Sequence, residues 1–156
     1  MIVRILFIGD IVGRPGRELV RLGLPAIVEH HQIDLVIANA ENSAAGFGIT
    51  REIGDQLLDW GVDVMTSGNH IWDKKEALDY IGTEPRLLRP ANYPAGAPGN
   101  GVLAAVSRKG ARLAPCGLGG TDAGFLRKAW VSQCSGRLGN VGRCSNRRCL
   151  RERNLP

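Results

Sequence analysis

The chain has 156 residues, 44% of them hydrophobic and 22% charged, a balance that fits one globular domain with a real core. No apolar stretch approaches the ~20 residues that span a bilayer, which argues against a membrane segment. The formal net charge of +5 is not a footprint of the whole molecule: residues 1–114 hold 12 Lys/Arg against 13 Asp/Glu, and residues 115–156 hold 8 against 2.

Ile2 to Ile8 is rich in β-branched and apolar residues and short enough for a buried strand. It starts without the basic and apolar regions of a secretory signal, and residues 1–114 lack cysteine, so a cytoplasmic location is expected. Gly9-Asp10-Ile11-Val12-Gly13 forms the next loop, and Pro15 suits the first turn of a helix running to about His30. Leu19, Leu22, Ala26 and Ile27 are its expected apolar face, and Pro25 should kink or split it. Asp34 to Ala38 is a second strand. After the flexible Gly46-Phe47-Gly48, Thr50 is a candidate N-cap for a helix to about Trp60, stopped by Gly61. Ile53, Leu57 and Leu58 give that helix its apolar face. Val62 to Thr66 is a third strand, and Asp73 is placed to cap a short helix over Lys74 to Ile81. The alternation predicts an α/β fold, a parallel sheet with packed helices. Val102 to Val106 and Ala111 to Ala114 flank Ser107-Arg108-Lys109-Gly110 as a hairpin.

Three strand ends thus deliver Asp10, then Glu41 with Asn42, then Asn69 with His70. Ligands of open α/β sheets bind outside the carboxyl ends of the strands, so these side chains are candidates for one site. Taken singly, Asp10 reads as a turn carboxylate, Glu41-Asn42 as a cap and Asn69-His70 as loop residues; their joint placement favours function. His30 and His31 suit the negative end of a helix. The glycines near Asp10 match neither a dinucleotide-binding nor a P-loop pattern. Arg89, Asn92 and Tyr93 fit a pocket lining or a proline-set turn equally well.

The words Ile8-Gly9-Asp10-Ile11-Val12-Gly13, Asn39-Ala40-Glu41-Asn42, Thr66-Ser67-Gly68-Asn69-His70-Ile71-Trp72-Asp73 and Arg89-Pro90-Ala91-Asn92-Tyr93-Pro94 recur in order and spacing in a known family. Over roughly residues 1–114 the chain resembles the calcineurin-like metallophosphoesterases, and within them the YmdB-type bacterial branch implicated in 2′,3′-cyclic-nucleotide hydrolysis. Val12 stands where the wider superfamily has a histidine, and Glu41 where it has an aspartate; both departures are those of the YmdB-type branch. The resemblance implies a metallophosphoesterase-type α/β sandwich, here incomplete at its C-terminal end.

It also implies two divalent metal ions (Fe, Mn or Zn) as cofactors, with Asp10, Glu41, Asn42 and Asn69 as metal ligands and Glu41 bridging. A metal-held hydroxide would open a small cyclic nucleotide substrate while His70 protonates the leaving oxygen, the natural work of a histidine. The family draws further metal-binding histidines from later loops, but no histidine follows position 70 here. The alternative is a truncated, inactive homologue, or a nucleotide- or RNA-binding module that keeps the fold without metals; that is the RNA-related role considered.

Beyond Ala114 the patterning fades into Gly, Arg and Cys. Residues 115–156 are expected to be a basic, disordered tail, the out-of-frame or rearranged ending of a family gene. A sheet deprived of its remaining strands should be poorly soluble. Cys116, Cys134, Cys144 and Cys149 are too irregularly spaced to favour a zinc site. The arginines at 143–153 lack the aromatic partners of a single-strand RNA platform.

Overall fold

The computed structural model describes residues 2–117 and the strand 129–133. Four parallel strands form one sheet in the order β1 (Ile5–Ile8), β2 (Leu35–Asn39), β3 (Val64–Thr66) and β4 (Leu87–Leu88). They alternate with α1 (Gly13–His31), α2 (Arg51–Asp59) and α3 (Lys75–Thr83). Because the strands advance in one direction and parallel crossovers are right-handed, all three helices lie on one face. A second, antiparallel sheet of β5 (Ala105–Val106), β6 (Arg112–Gly117) and β7 (Ala129–Gln133) follows in the chain.

The strand period of two divides the core between these layers. Val36, Ala38, Met65 and Leu87 face the helices, where they meet Val20, Leu24, Leu57 and Tyr80. Leu35, Ile37, Val64 and Leu88 face the other way and pack with Leu113 of β6 and with Leu103 and Ala105. Every residue of β2 is buried, as expected of a parallel strand covered on both faces. The parallel sheet with packed helices is the one anticipated from the strand–helix alternation, and the second sheet on its other face makes the α/β sandwich that the resemblance implied.

Several local expectations change. α1 remains one helix through Pro25, which lies on its exposed side, where water can satisfy the carbonyl that proline leaves unbonded. Its inward residues are Val20 and Leu24, with Val28 partly buried, spaced four apart; Leu19, Leu22 and Ile27 are exposed. Asp73 does not cap α3, whose first turn has no side-chain cap. Thr50 does cap α2, accepting from the Ile53 N–H at 3.2 Å, and Gly61 ends it with φ +105°.

The hairpin forms with Ser107–Gly110 at its tip, but the first strand shortens to β5 and the second runs past Ala114 to Gly117. Cys116 is buried. The other three cysteines, the arginines at 143–153 and most of the expected tail lie outside the described residues. Among the described residues, no helix is long and apolar enough to cross a membrane.

Candidate functional site

The loops after β1, β2 and β3 are tied together by main-chain bonds before any side chain is considered. Ile11 N–H donates to the Asn39 carbonyl at 3.0 Å and Gly13 N–H to the Asn42 carbonyl at 2.9 Å. Ala40 N–H donates to the Thr66 carbonyl at 3.0 Å. These bonds hold the three strand ends in register as one platform, at the position where open α/β sheets take ligands.

Asp10 leaves β1 into solvent, and its Oδ1 accepts from Asn42 Nδ2 at 2.7 Å. Asn42 is buried, and its own Oδ1 has no hydrogen-bond partner. A buried carbonyl oxygen left without a donor is costly, and one at a ligand-binding edge is a natural place for a cation.

Glu41 is fully buried, an uncommon position for a carboxylate. Its Oε2 accepts the His70 main-chain N–H at 3.1 Å, and its Oε1 receives a long 3.4 Å bond from Asn39 Nδ2. Gly68 makes this arrangement fit: a Cβ there would lie 2.6 Å from Glu41 Oε2. The glycine of the loop is thus required by the carboxylate beneath it.

Asn69 opens a 3₁₀ turn, Asn69–Trp72, and is exposed. His70 lies within that turn, its Nδ1 2.6 Å from Asp73 Oδ2 and its ring edge-on to Phe47, with centroids 5.6 Å apart. Trp72 packs against the core and stacks on Tyr93 at 6.0 Å, which gives Tyr93 a structural role. Arg89 emerges at the carboxyl end of β4 and is buried; its Nη1 donates to the Pro90 carbonyl at 2.9 Å, and its Nε has no partner.

The structure therefore joins Asp10 to Asn42 and Glu41 to the His70 backbone. Asn69 is placed beside them on the same loop without a side-chain bond to either pair. Among the described residues no three His, Cys, Asp or Glu side chains gather in a way that could hold a metal ion. The donors on this platform are two carboxylates and two amides, oxygen ligands that suit hard divalent cations, and the orphaned Asn42 Oδ1 fits that use. Asp73 and Phe47, which flank the His70 ring, were not among the site candidates. Asp73 lies three residues from His70, a contact spacing in a helical turn, and that spacing is the signal that could have found it.

A family model described as "YmdB-like protein" matches residues 6–123. A 2′,3′-cyclic-nucleotide 2′-phosphodiesterase of Bacillus subtilis is 46% identical over 118 residues, which are 76% of this chain and 44% of that protein. A protein of Mycoplasma genitalium described as "Putative phosphatase/phosphodiesterase" is 37% identical over 58% of this chain and 32% of its own length. Among solved structures, a hypothetical protein from Thermus thermophilus aligns with TM-score 0.66 and 43% identity, over 72% of this chain and 43% of that one. A phosphatase from Mycoplasma pneumoniae aligns with TM-score 0.70 and 31% identity, over 81% of this chain and 46% of that one. The chain thus spans less than half the length of the relatives it matches.

Proposed function

The chain belongs to the YmdB-like family, and from that membership we propose that it serves phosphodiester hydrolysis, with 2′,3′-cyclic nucleotides as the substrate class. The observation that carries the reading is the buried pair at the end of β2. Glu41 lies beneath the His70 loop, and Asn42, bonded to Asp10, leaves a buried oxygen unpartnered.

Asp10, Glu41, Asn42 and Asn69 are the residues that would hold divalent metal. Metal bound there would supply positive charge for the phosphoryl oxygens and acidify an attacking water. Glu41 keeps its carboxylate out of bulk water and fixes the His70 backbone. Asn42 keeps Asp10 turned toward β2. His70 then stands as the proton donor to the departing ribose oxygen, the usual work of an imidazole in such cleavages.

The full chain should hydrolyse 2′,3′-cyclic AMP when Mn²⁺ is added and not after chelation. His70→Ala should lower kcat by about 10²–10⁴-fold, the range of a lost general acid. No turnover with either Mn²⁺ or Fe²⁺ would overturn the enzymatic reading of this chain. A second reading, nucleotide binding without turnover, has one observation in its favour: no three His, Cys, Asp or Glu side chains gather among the described residues. Calorimetric binding of 2′,3′-cyclic AMP in the absence of hydrolysis would establish it.

A further inference from the structure

Phe47 is 59% exposed, yet the loop that carries it is not loose. The Asn42 carbonyl accepts from Gly46 N–H at 3.0 Å, Phe47 N–H donates to the Ala44 carbonyl at 3.2 Å, and Ala44 N–H donates to the Gly48 carbonyl at 3.0 Å. Gly48 is buried against the turn that follows β3: a Cβ there would lie 2.7 Å from Lys74 Cγ and 3.4 Å from the His70 carbonyl oxygen. The segment from Asn42 to Gly48 is thus one closed unit seated on the His70 turn. It holds the phenyl ring edge-on to the imidazole, with centroids 5.6 Å apart and an interplanar angle of 70°.

Single apolar side chains on a surface are ordinary and need no explanation. Phe47 differs in two respects. Its loop starts at Asn42, one of the candidate metal ligands, and is bonded to that residue's main chain, so ring and ligand are fixed relative to each other. The ring it meets is that of His70, the candidate proton donor, which puts Phe47 at the rim of the site with much of its surface open to a ligand.

We propose that Phe47 is the platform for the nucleobase of the substrate, a residue that sets base preference and takes no part in bond making. The inference rests on the reading of the chain as a 2′,3′-cyclic-nucleotide phosphodiesterase with His70 directed at the departing ribose oxygen. The 2′ oxygen and the glycosidic nitrogen sit on adjacent ribose carbons. A nucleotide whose ribose oxygen meets His70 therefore carries its base within reach of a ring packed against His70. An aromatic ring held by its backbone stacks on a base at low cost in side-chain entropy, and every base offers a π face. A purine covers more of the phenyl than a pyrimidine does, so the preference runs toward purines.

The plain alternative is that Phe47 props the His70 ring and never touches the ligand. A prop acts on proton transfer, so its loss lowers kcat for every ester alike, with or without a base. A platform acts on binding, so its loss raises the Kd and KM of nucleotides and spares a ligand that has no base.

Calorimetry of the full chain in EDTA, which stops turnover, and steady-state kinetics with Mn²⁺ give both readouts. The probes are 2′,3′-cyclic AMP, 2′,3′-cyclic CMP and the 2,3-cyclic phosphate of methyl riboside, in which a methoxy group replaces the base. Phe47→Ala should weaken 2′,3′-cyclic AMP about 5–150-fold, the scale of a lost base–aromatic stack. The loss for 2′,3′-cyclic CMP should be smaller, and the methyl riboside ester should bind as before. Phe47→Trp should bind 2′,3′-cyclic AMP at least as tightly as the wild type. Because the side chain is largely exposed, Phe47→Ala should melt close to the wild type. Unchanged affinity for 2′,3′-cyclic AMP, equal weakening of the ester without a base, or a fall in kcat for all three with affinities unchanged overturns the proposal. A wild type that neither binds nor cleaves cyclic nucleotides overturns the proposed function and this inference together. One that binds without cleaving overturns only the enzymatic reading, and the calorimetry then decides the role of Phe47.

Discussion

Glu41 and Gly68 set the geometry of the site at the residue scale. The φ of Gly68 is −132°, outside the left-handed region, and the need for glycine there is steric. A Cβ would lie 2.6 and 2.7 Å from the two carboxylate oxygens of Glu41, which is itself fully buried and has nowhere to retreat. Gly68→Ala should therefore destabilise the fold by about 1–3 kcal/mol, the scale of overpacking. It should also weaken Mn²⁺ binding measured by calorimetry; unchanged stability together with unchanged binding would show that Glu41 can move aside. Asp10, Glu41, Asn42, Asn69 and His70 were all legible because each follows a strand in the sequence. The Asn42–Asp10 bond and the Asp73–His70 contact were not, because side-chain direction depends on loop turns that composition does not report.

At the scale of elements, two carboxylates connect layers that are far apart in sequence. Asp34, at the start of β2, accepts from Arg4 N–H at 2.8 Å and from Lys109 Nζ at 3.1 Å. Asp63, ahead of β3, accepts from Val36 N–H at 2.7 Å and from both terminal nitrogens of Arg108. The tip of the β5–β6 hairpin is thereby fastened to the amino ends of the parallel strands, opposite the candidate site. The Arg4 N–H, with help from Lys109, holds the Asp34 carboxyl below the ordinary aspartate range against the opposing effect of burial. A carboxylate with a lowered folded-state pKa stabilises the fold above its unfolded value, and that contribution disappears as pH falls through the folded value. Asp34→Asn should thus melt earlier than the wild type at pH 7, with the gap closing below about pH 4. A gap that stays constant from pH 7 to pH 3 would show that the charge is immaterial. These ties span from 27 to 75 residues and leave no local signature, whereas the strands, the Thr50 cap and the hairpin each carry one. The apolar face of α1 was misplaced for a related reason: Leu19, Leu22 and Ile27 have helical spacing of their own, and only packing against the sheet selects Val20 and Leu24 instead.

For the molecule as a whole, the consequential feature is the outer edge of the first sheet. Among the described residues β1 pairs only with β2, yet it has the all-apolar sequence of an interior strand. Ile5 and Phe7 are 38% and 41% exposed on one face. On the other face, Leu6 and Ile8 line a hollow of about 270 Å³ with Leu19, Leu24 and Ile27 of α1. Ile5–Ile8 contains neither a charged residue nor a proline, the devices by which natural edges avoid pairing with other chains. An apolar edge with unpaired main-chain groups should pair with copies of itself, so the chain should self-associate on purification. Phe7→Lys places a charge on the exposed face without touching the helix-side packing, and its direct effect on stability should stay within about 1 kcal/mol. It should raise the soluble, monomeric fraction measured by light scattering after size exclusion, whereas Leu6→Lys, on the face turned toward α1, should lower it. If Phe7→Lys leaves the wild-type association unchanged, the edge of β1 is not the surface through which the chain associates.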